Sequence, residues 1–320
     1  MPDQPDAPVI LPGGFRREFS ECWKAWPDKF LFFSLLAAWL ALFQFLGNST
    51  LGYVKNGSMF GWLSFIYRTS QDDGHGALIP LVVAVLFWWR RRELLAIEKR
   101  NWWPALAVVI AALVVHAVSY IVQQPKLSVI AFFAGLYGLT GLVWGRRWLA
   151  ASFFPYFLFV FCVPLGDWAE GITFQLRLLV AKVSVAVANG ALGMDVIREG
   201  SQIFDSAHKF NYDVAPACSG IRSLVALLAM TTIYGFVSFR SPWKRLLIAS
   251  IAVPLAVAGN VVRITGVIVT ADAFGQSAGS QLHDWAGFVN FAVALGCVLL
   301  LGRWLREDAQ PAVALEAKLT

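Results

Sequence analysis

The chain has 320 residues, of which 58% are hydrophobic and only 14% charged, and its mean hydropathy is +0.62. A soluble domain carries about 25% charge, so these values exclude a soluble globular protein and point to a polytopic membrane protein, with repeated stretches near the length of a bilayer span. The net charge of +6 comes from 26 Lys+Arg against 20 Asp+Glu, and the basic residues gather in short runs such as WGRRW. Such runs set topology, and with no continuous basic face or stacking platform, nucleic acid is excluded as a partner.

Residues 1–29 read as a cytoplasmic tail. The opening MPDQPDAPVILPGG is polar and Pro-rich, without the pattern of a cleavable signal. Spans are expected at 30–47, 75–89, 104–122, 127–144, 149–165, 218–239, 246–270 and 285–302, each near the usual length of about 17–25 residues. Trp26, Trp88, Trp103, Trp144, Trp148, Trp243, Trp285 and Trp304 lie near their ends, as an interfacial aromatic belt requires. The segment 171–190, GITFQLRLLVAKVSVAVANG, is apolar enough for a further span. Arg177 and Lys182 argue against it, at about 2.5–3.5 kcal/mol each near a bilayer centre. Leu176, Leu179, Val180, Val183 and Val187 recur at helical spacing, so the segment is expected to lie in the interface as an amphipathic helix.

Charge gives an independent check. Arg16, Arg17, Lys24 and Lys29 precede the first span, and Arg90–Arg92 with Lys99 and Arg100 follow the second. Arg146 and Arg147 follow the fourth, Arg240, Lys244 and Arg245 the sixth, and Arg303 and Arg306 the eighth. Eight spans put all of these on the cytoplasmic side. The loops 48–74 and 271–284 and the stretch 190–217 then face outward. The stretch 196–214 alternates weakly around Gly200 and suggests a short hairpin or extended cap. The expected fold is all-α: a polytopic membrane helix bundle of about eight transmembrane helices, one interfacial amphipathic helix and a short extracytoplasmic extended segment. Residues 30–302 form its membrane domain and 303–320 a cytoplasmic tail.

This topology brings three chemically distinctive residues to one depth on the outer side. Cys218, after Pro216, opens the sixth span. A thiol at a helix N-terminus ionises more easily because the macrodipole favours the thiolate. The bland alternative is a small packing residue. Arg263 lies about two turns below the outer end of the seventh span, where an ionisable residue is a functional hypothesis. Its permanent charge suits a tetrahedral oxyanion, and Asn260, three residues earlier, is placed to orient it. His283, just before the eighth span, suits a general acid/base, and His75 in DDGHG is its rival. Arg222, four residues after Cys218, shares its helix face and either binds a substrate carboxylate, supports the thiolate or snorkels to the interface. His116, in mid-span, suits an interhelical hydrogen bond. No HExxH or compact ligand spacing suggests a metal, and no cofactor is expected. Nucleophile, oxyanion partner and proton carrier together fit a cysteine peptidase or transpeptidase. The other class open to such a chain is a transporter, which would spread charge through the whole bilayer and often shows repeat symmetry.

At these residues the chain resembles the exosortase/archaeosortase family of integral membrane proteins. The match lies in ACSGIRS (217–223), NVVRI (260–264) and HDWAG (283–287), with DGHGALIP (73–80) similar to the family's amino-half motif, and it covers most of residues 70–300. The resemblance implies a membrane-embedded cysteine transpeptidase, like sortases in chemistry but unrelated in fold. The family's Cys, Arg and His fall on Cys218, Arg263 and His283, and Arg222 lies within the Cys motif. It further implies protein substrates with a C-terminal sorting signal of the PEP-CTERM type, made of a short motif, a transmembrane helix and a basic tail. A multi-pass place among the lipids of the bacterial inner membrane, an active site on the extracytoplasmic side and a link to exopolysaccharide export belong to the same expectation. A non-catalytic assembly factor in that export is the remaining alternative.

Overall fold

The structure is a computed structural model and describes residues 15–70, 72–206, 210–213 and 221–305. It divides into two compact units, Met1–Phe65 with Ala77–Val163, and Ile66–Gly76 with Pro164–Thr320.

The first unit contains α1 (Phe15–Ala25), α2 (Lys29–Leu46), the start of α3 (Met59–Thr69), α4 (Ile79–Trp89), α5 (Arg91–Ala96), α6 (Ala105–Val122), α7 (Pro125–Trp144) and α8 (Arg146–Phe157). Helices α6 and α7 form a tight antiparallel pair. Gln123 ends α6 in the left-handed conformation, φ 53°, and Pro125 supplies the preset φ of a first helical turn. Small residues on α7 bring the helices close: a Cβ at Gly138 would press on Val109, and one at Gly141 on Ala105 and Leu149. Trp39 of α2 lies over Gly135 and donates its Nε1–H to the Phe132 carbonyl at 3.0 Å. At the other end of this unit Phe32, Trp144 and Trp148 share a core cluster with Leu94. Trp144 Nε1 bonds the Pro27 carbonyl at 3.2 Å, and Arg91 pairs with Glu18 at 2.6 Å. The cationic runs around 16–29, 90–92 and 146–147 therefore meet at one end, as the charge pattern requires.

In the second unit α9 (Asp167–Leu192) leads into the strands β1 (Val196–Glu199), β2 (Gln202–Asp205) and β3 (Asn211–Asp213), followed by α10 (Ile221–Ser238), α11 (Pro242–Ser250), α12 (Ala252–Phe274) and α13 (Gln276–Trp304). The hairpin expected over 196–214 is an antiparallel sheet in the order β1-β2-β3, with Val196 opposite Asp205 and Gln202 opposite Asp213. Its β1–β2 turn uses Gly200 at φ 61°, a left-handed conformation that suits glycine. Ile203 and Phe210 bury beneath it against Val180, Ile264 and Ile268. Asn189 ties the end of α9 to β1 through both Val196 backbone groups, at 2.9 and 3.1 Å. Gln276 Nε2 donates to the Asn211 carbonyl, so the sheet sits at the α12–α13 junction. At the far end Lys244 Nζ bonds the Leu305 carbonyl and Arg245 Nε that of Phe239, gathering the remaining cations.

Among the described residues six helices are long and apolar enough to cross a membrane: Lys29–Leu46, Ala105–Val122, Pro125–Trp144, Phe174–Leu192, Pro242–Phe274 and Gln276–Trp304. Two shorter apolar helices, Gly74–Trp89 and Ser223–Ser238, fall where spans were expected. The chain is thus an all-α polytopic membrane bundle, with two departures from the expected spans. Segment 149–165 is not one helix: α8 carries Pro155, which lacks an N–H, and gives way after Phe157 to a 3-10 turn, Leu158–Cys162. Segment 171–190, expected in the interface, belongs to the 26-residue α9. Of the two residues that argued against a span, Lys182 is exposed, while Arg177 is 8% exposed and its guanidinium lies 5.8 Å from the Phe174 ring centre. An arginine enclosed by protein does not meet the lipid, so the insertion penalty of an isolated charge does not apply to it.

Candidate active site

Helices α12 and α13 run antiparallel and touch through polar rungs. Asn290 Nδ2 donates to the Gly259 carbonyl at 2.6 Å. One turn further along α12, Arg263 crosses to His283: its Nε and Nη2 donate to the His283 carbonyl at 3.1 and 2.7 Å, and Nη2 lies 3.0 Å from His283 Nε2. Gly287, four residues after His283, lies against the guanidinium, and a Cβ there would meet the Arg263 Cζ at 3.6 Å, an ordinary contact. Both side chains of the pair are half-buried. A guanidinium only donates and keeps its proton, so Nε2 is the acceptor of this bond.

The bonds from described residues that orient Arg263 come from His283. Asn260, expected to do so, is buried on α12 at 6% exposure. Cys218 lies outside the described residues, and so does the side chain of Arg222 in the first turn of α10. Helix α10 packs on α12 and α13 and runs parallel to α13, with Tyr234 beside Gly302. That register carries Ile221, the first residue of α10, to the level of Val289, about 9 Å along α13 from His283.

His75 is held elsewhere in this unit. It sits in the 3-10 turn Gly74–Ala77, and its Nδ1 is 2.9 Å from the Asp72 carbonyl. Beside it Asp73 is 6% exposed and accepts the Ser70 hydroxyl at 2.8 Å and the Leu165 amide at 3.0 Å. Leu165 precedes α9, and about 26 Å of helix rise separates Asp167 from Ser184, whose hydroxyl reaches the Val261 carbonyl near Arg263. The structure joins Arg263 to His283. Sequence reasoning missed Asn290 and the Asp73 clasp. The last had a local signal, since Ser70 and Asp73 stand at capping-box spacing and Ser70 Oγ also accepts the Asp73 amide at 3.2 Å.

His116 makes the interhelical bond expected of it, to Ser128 Oγ at 3.0 Å. Cys162 is a buried thiol rather than half of a disulfide. Among the described residues no three His, Cys, Asp or Glu side chains group to hold a metal.

A family model described as transmembrane exosortase matches residues 62–300. No curated protein and no solved structure matches the chain.

Proposed function

The chain belongs to the transmembrane exosortase family, and from that premise we propose that it is a cysteine peptidase/transpeptidase that cleaves the C-terminal sorting signal of membrane-anchored export substrates. The observation that carries this reading is the Arg263–His283 pair. It assembles two of the three groups the chemistry needs, from residues 20 positions apart, within an otherwise apolar helix pair. The start of α10 near the level of that pair supports Cys218 as the third.

In the proposed reaction the Cys218 thiolate attacks the scissile carbonyl, forming a C–S bond and a tetrahedral oxyanion. The guanidinium of Arg263 stabilises the oxyanion where charge develops. Collapse breaks the C–N bond as the leaving amine takes from His283 the proton that the imidazole received from the Cys218 thiol, and a thioester remains. His283 then accepts a proton from water or an amine, which attacks the thioester and releases the thiol. Arg222 is assigned to the substrate or to the thiolate, and Asn260 to support of the α12 turn. His75 belongs to a separate turn and is not assigned to proton transfer. The reaction is placed on the extracytoplasmic side of the bacterial inner membrane, because the cationic ends of the helices lie away from the sheet and the α12–α13 junction.

The test is co-expression with a tagged candidate substrate and comparison of substrate mass for wild type and Cys218→Ala. Loss of the processed species with the variant still in the membrane is the expected result. Normal processing by Cys218→Ala would falsify the assignment and favour a non-catalytic role in export.

A further inference from the structure

In the first unit a cavity of about 560 Å³ opens among α1, α2, α4 and the α7–α8 corner. Trp23, Trp26, Leu36, Phe87, Trp88 and Trp148 form much of its wall, and the volume falls in the range of small-molecule sites, about 300–1,000 Å³. Two polar features break the apolar wall. The Trp26 Nε1–H is buried and makes no hydrogen bond, whereas a buried indole N–H ordinarily finds an acceptor. Arg91, also on the wall, stacks at 4.3 Å over Trp88 while pairing with Glu18.

The surroundings identify the occupant. The cavity lies at the end of the unit where the cationic runs meet, which is headgroup level for a membrane helix. Over 16–29 and 90–93 there are seven Lys and Arg against four Asp and Glu, an excess that complements an anion. A helix with its side chains is about 10–12 Å wide, so this space takes hardly more than one turn of one, whereas a flexible hydrocarbon chain threads it. We propose that the cavity binds one acyl chain of an anionic phospholipid. An ester carbonyl accepts the Trp26 Nε1–H, and the headgroup rests among Arg91, Arg92 and the cations of α1. This site is independent of the proposed peptidase chemistry.

The experiment reconstitutes the full-length protein in phosphatidylcholine vesicles doped with a diazirine-acyl phosphatidylglycerol or the matching phosphatidylcholine, and maps photolabelled peptides by mass spectrometry. Label from the phosphatidylglycerol probe is expected on peptides spanning 19–36, 84–95 and 144–156, above that from the phosphatidylcholine probe. Ala84→Trp fills the space from an exposed position on α4 and should cut this label about tenfold, the factor that about two displaced methylenes give. Trp26→Phe removes the N–H together with part of the indole and should cut it at least about threefold. Arg91→Gln with Arg92→Gln leaves the cavity intact and should erase the headgroup preference, so the proposal stays testable if the tryptophan variant does not fold. Equal labelling by the two probes in wild type, or label unchanged in a folded Ala84→Trp, overturns the proposal.

Discussion

The antiparallel pairs α6–α7 and α12–α13 each hold a histidine, and they use it differently. His116 is 7% exposed, bonds Ser128 Oγ at 3.0 Å and packs 4.7 Å from the Phe43 ring centre. Ser128 in turn lies 2.7 Å from Ser119 Oγ, which donates to the Gln124 carbonyl. Every partner is neutral, and the chain of bonds ends on backbone at the α6–α7 turn. His283 is half-buried and faces a guanidinium instead. A hydroxyl ladder satisfies an imidazole and does nothing further. A fixed cation beside an imidazole keeps a positive charge within reach of any developing anion. The partners of the two imidazoles differ, and so does the run around each, apolar about His116 and polar in QLHDW about His283.

The sharpest way to break this comparison is to remove each partner. Arg263→Gln keeps a donor of similar reach but loses the charge. If the pair serves the proposed reaction, substrate processing should fall by about 10²–10³, the loss typical of a removed oxyanion donor, with the protein still folded by its melting profile. His283→Ala should fall at least as far. Processing by Arg263→Gln within a few-fold of wild type would make the α12–α13 pair as structural as α6–α7.

The mirror experiment is His116→Ala. It removes the buried bond between the imidazole and Ser128 and opens a gap beside Phe43, so a stability loss of about 1–3 kcal/mol is expected. A thermal melt in detergent reads that loss, and processing per folded molecule should stay at wild-type level. A processing defect larger than the loss of folded protein would mean that α6–α7 also takes part in the chemistry.

Much of this contrast was legible in the sequence, because residues that hydropathy cannot explain are conspicuous in apolar helices. Arg263 and His283 stood out on those grounds, and alternation of apolar runs with Arg/Lys clusters gave most of the spans. What stayed hidden depended on neighbours. Arg177 reads as a forbidden charge in any linear window, and only the packing of α9 shows it enclosed by protein. The break after α8 was equally invisible, since Pro155 sits in a run apolar enough to pass for a span. Segment 149–165 still runs the length of α4, from Ala151 beside Arg90 to Leu165 beside Asp73, so the break changes its helicity and not its place in the charge pattern. His75 looked equivalent to His283 by sidedness, and the bond of its ring to the Asp72 carbonyl within its own turn had no signal in the sequence. Asn290 carried no signal, because one asparagine in a long apolar helix has no pattern until its partner is known.

Asn290 provides the smallest and most selective test. Its Nδ2 bonds the Gly259 carbonyl at 2.6 Å, the carbonyl to which the Arg263 amide points in the regular i to i−4 pattern of α12. The bond therefore anchors to α13 the turn that carries Arg263, two turns along α13 from His283. Interhelical hydrogen bonds in membrane proteins contribute about 0.6 kcal/mol on average, so Asn290→Leu should lower the melting temperature only slightly. If the bond sets the register of α12 against α13, its effect on processing should exceed its effect on stability. Combining Asn290→Leu with Arg263→Gln should then add little beyond Arg263→Gln alone, since the register matters only through the guanidinium. Combining it with His116→Ala should instead give a simple sum. A double variant with Arg263→Gln whose losses add in full would separate Asn290 from the site and leave it as one more rung between two helices.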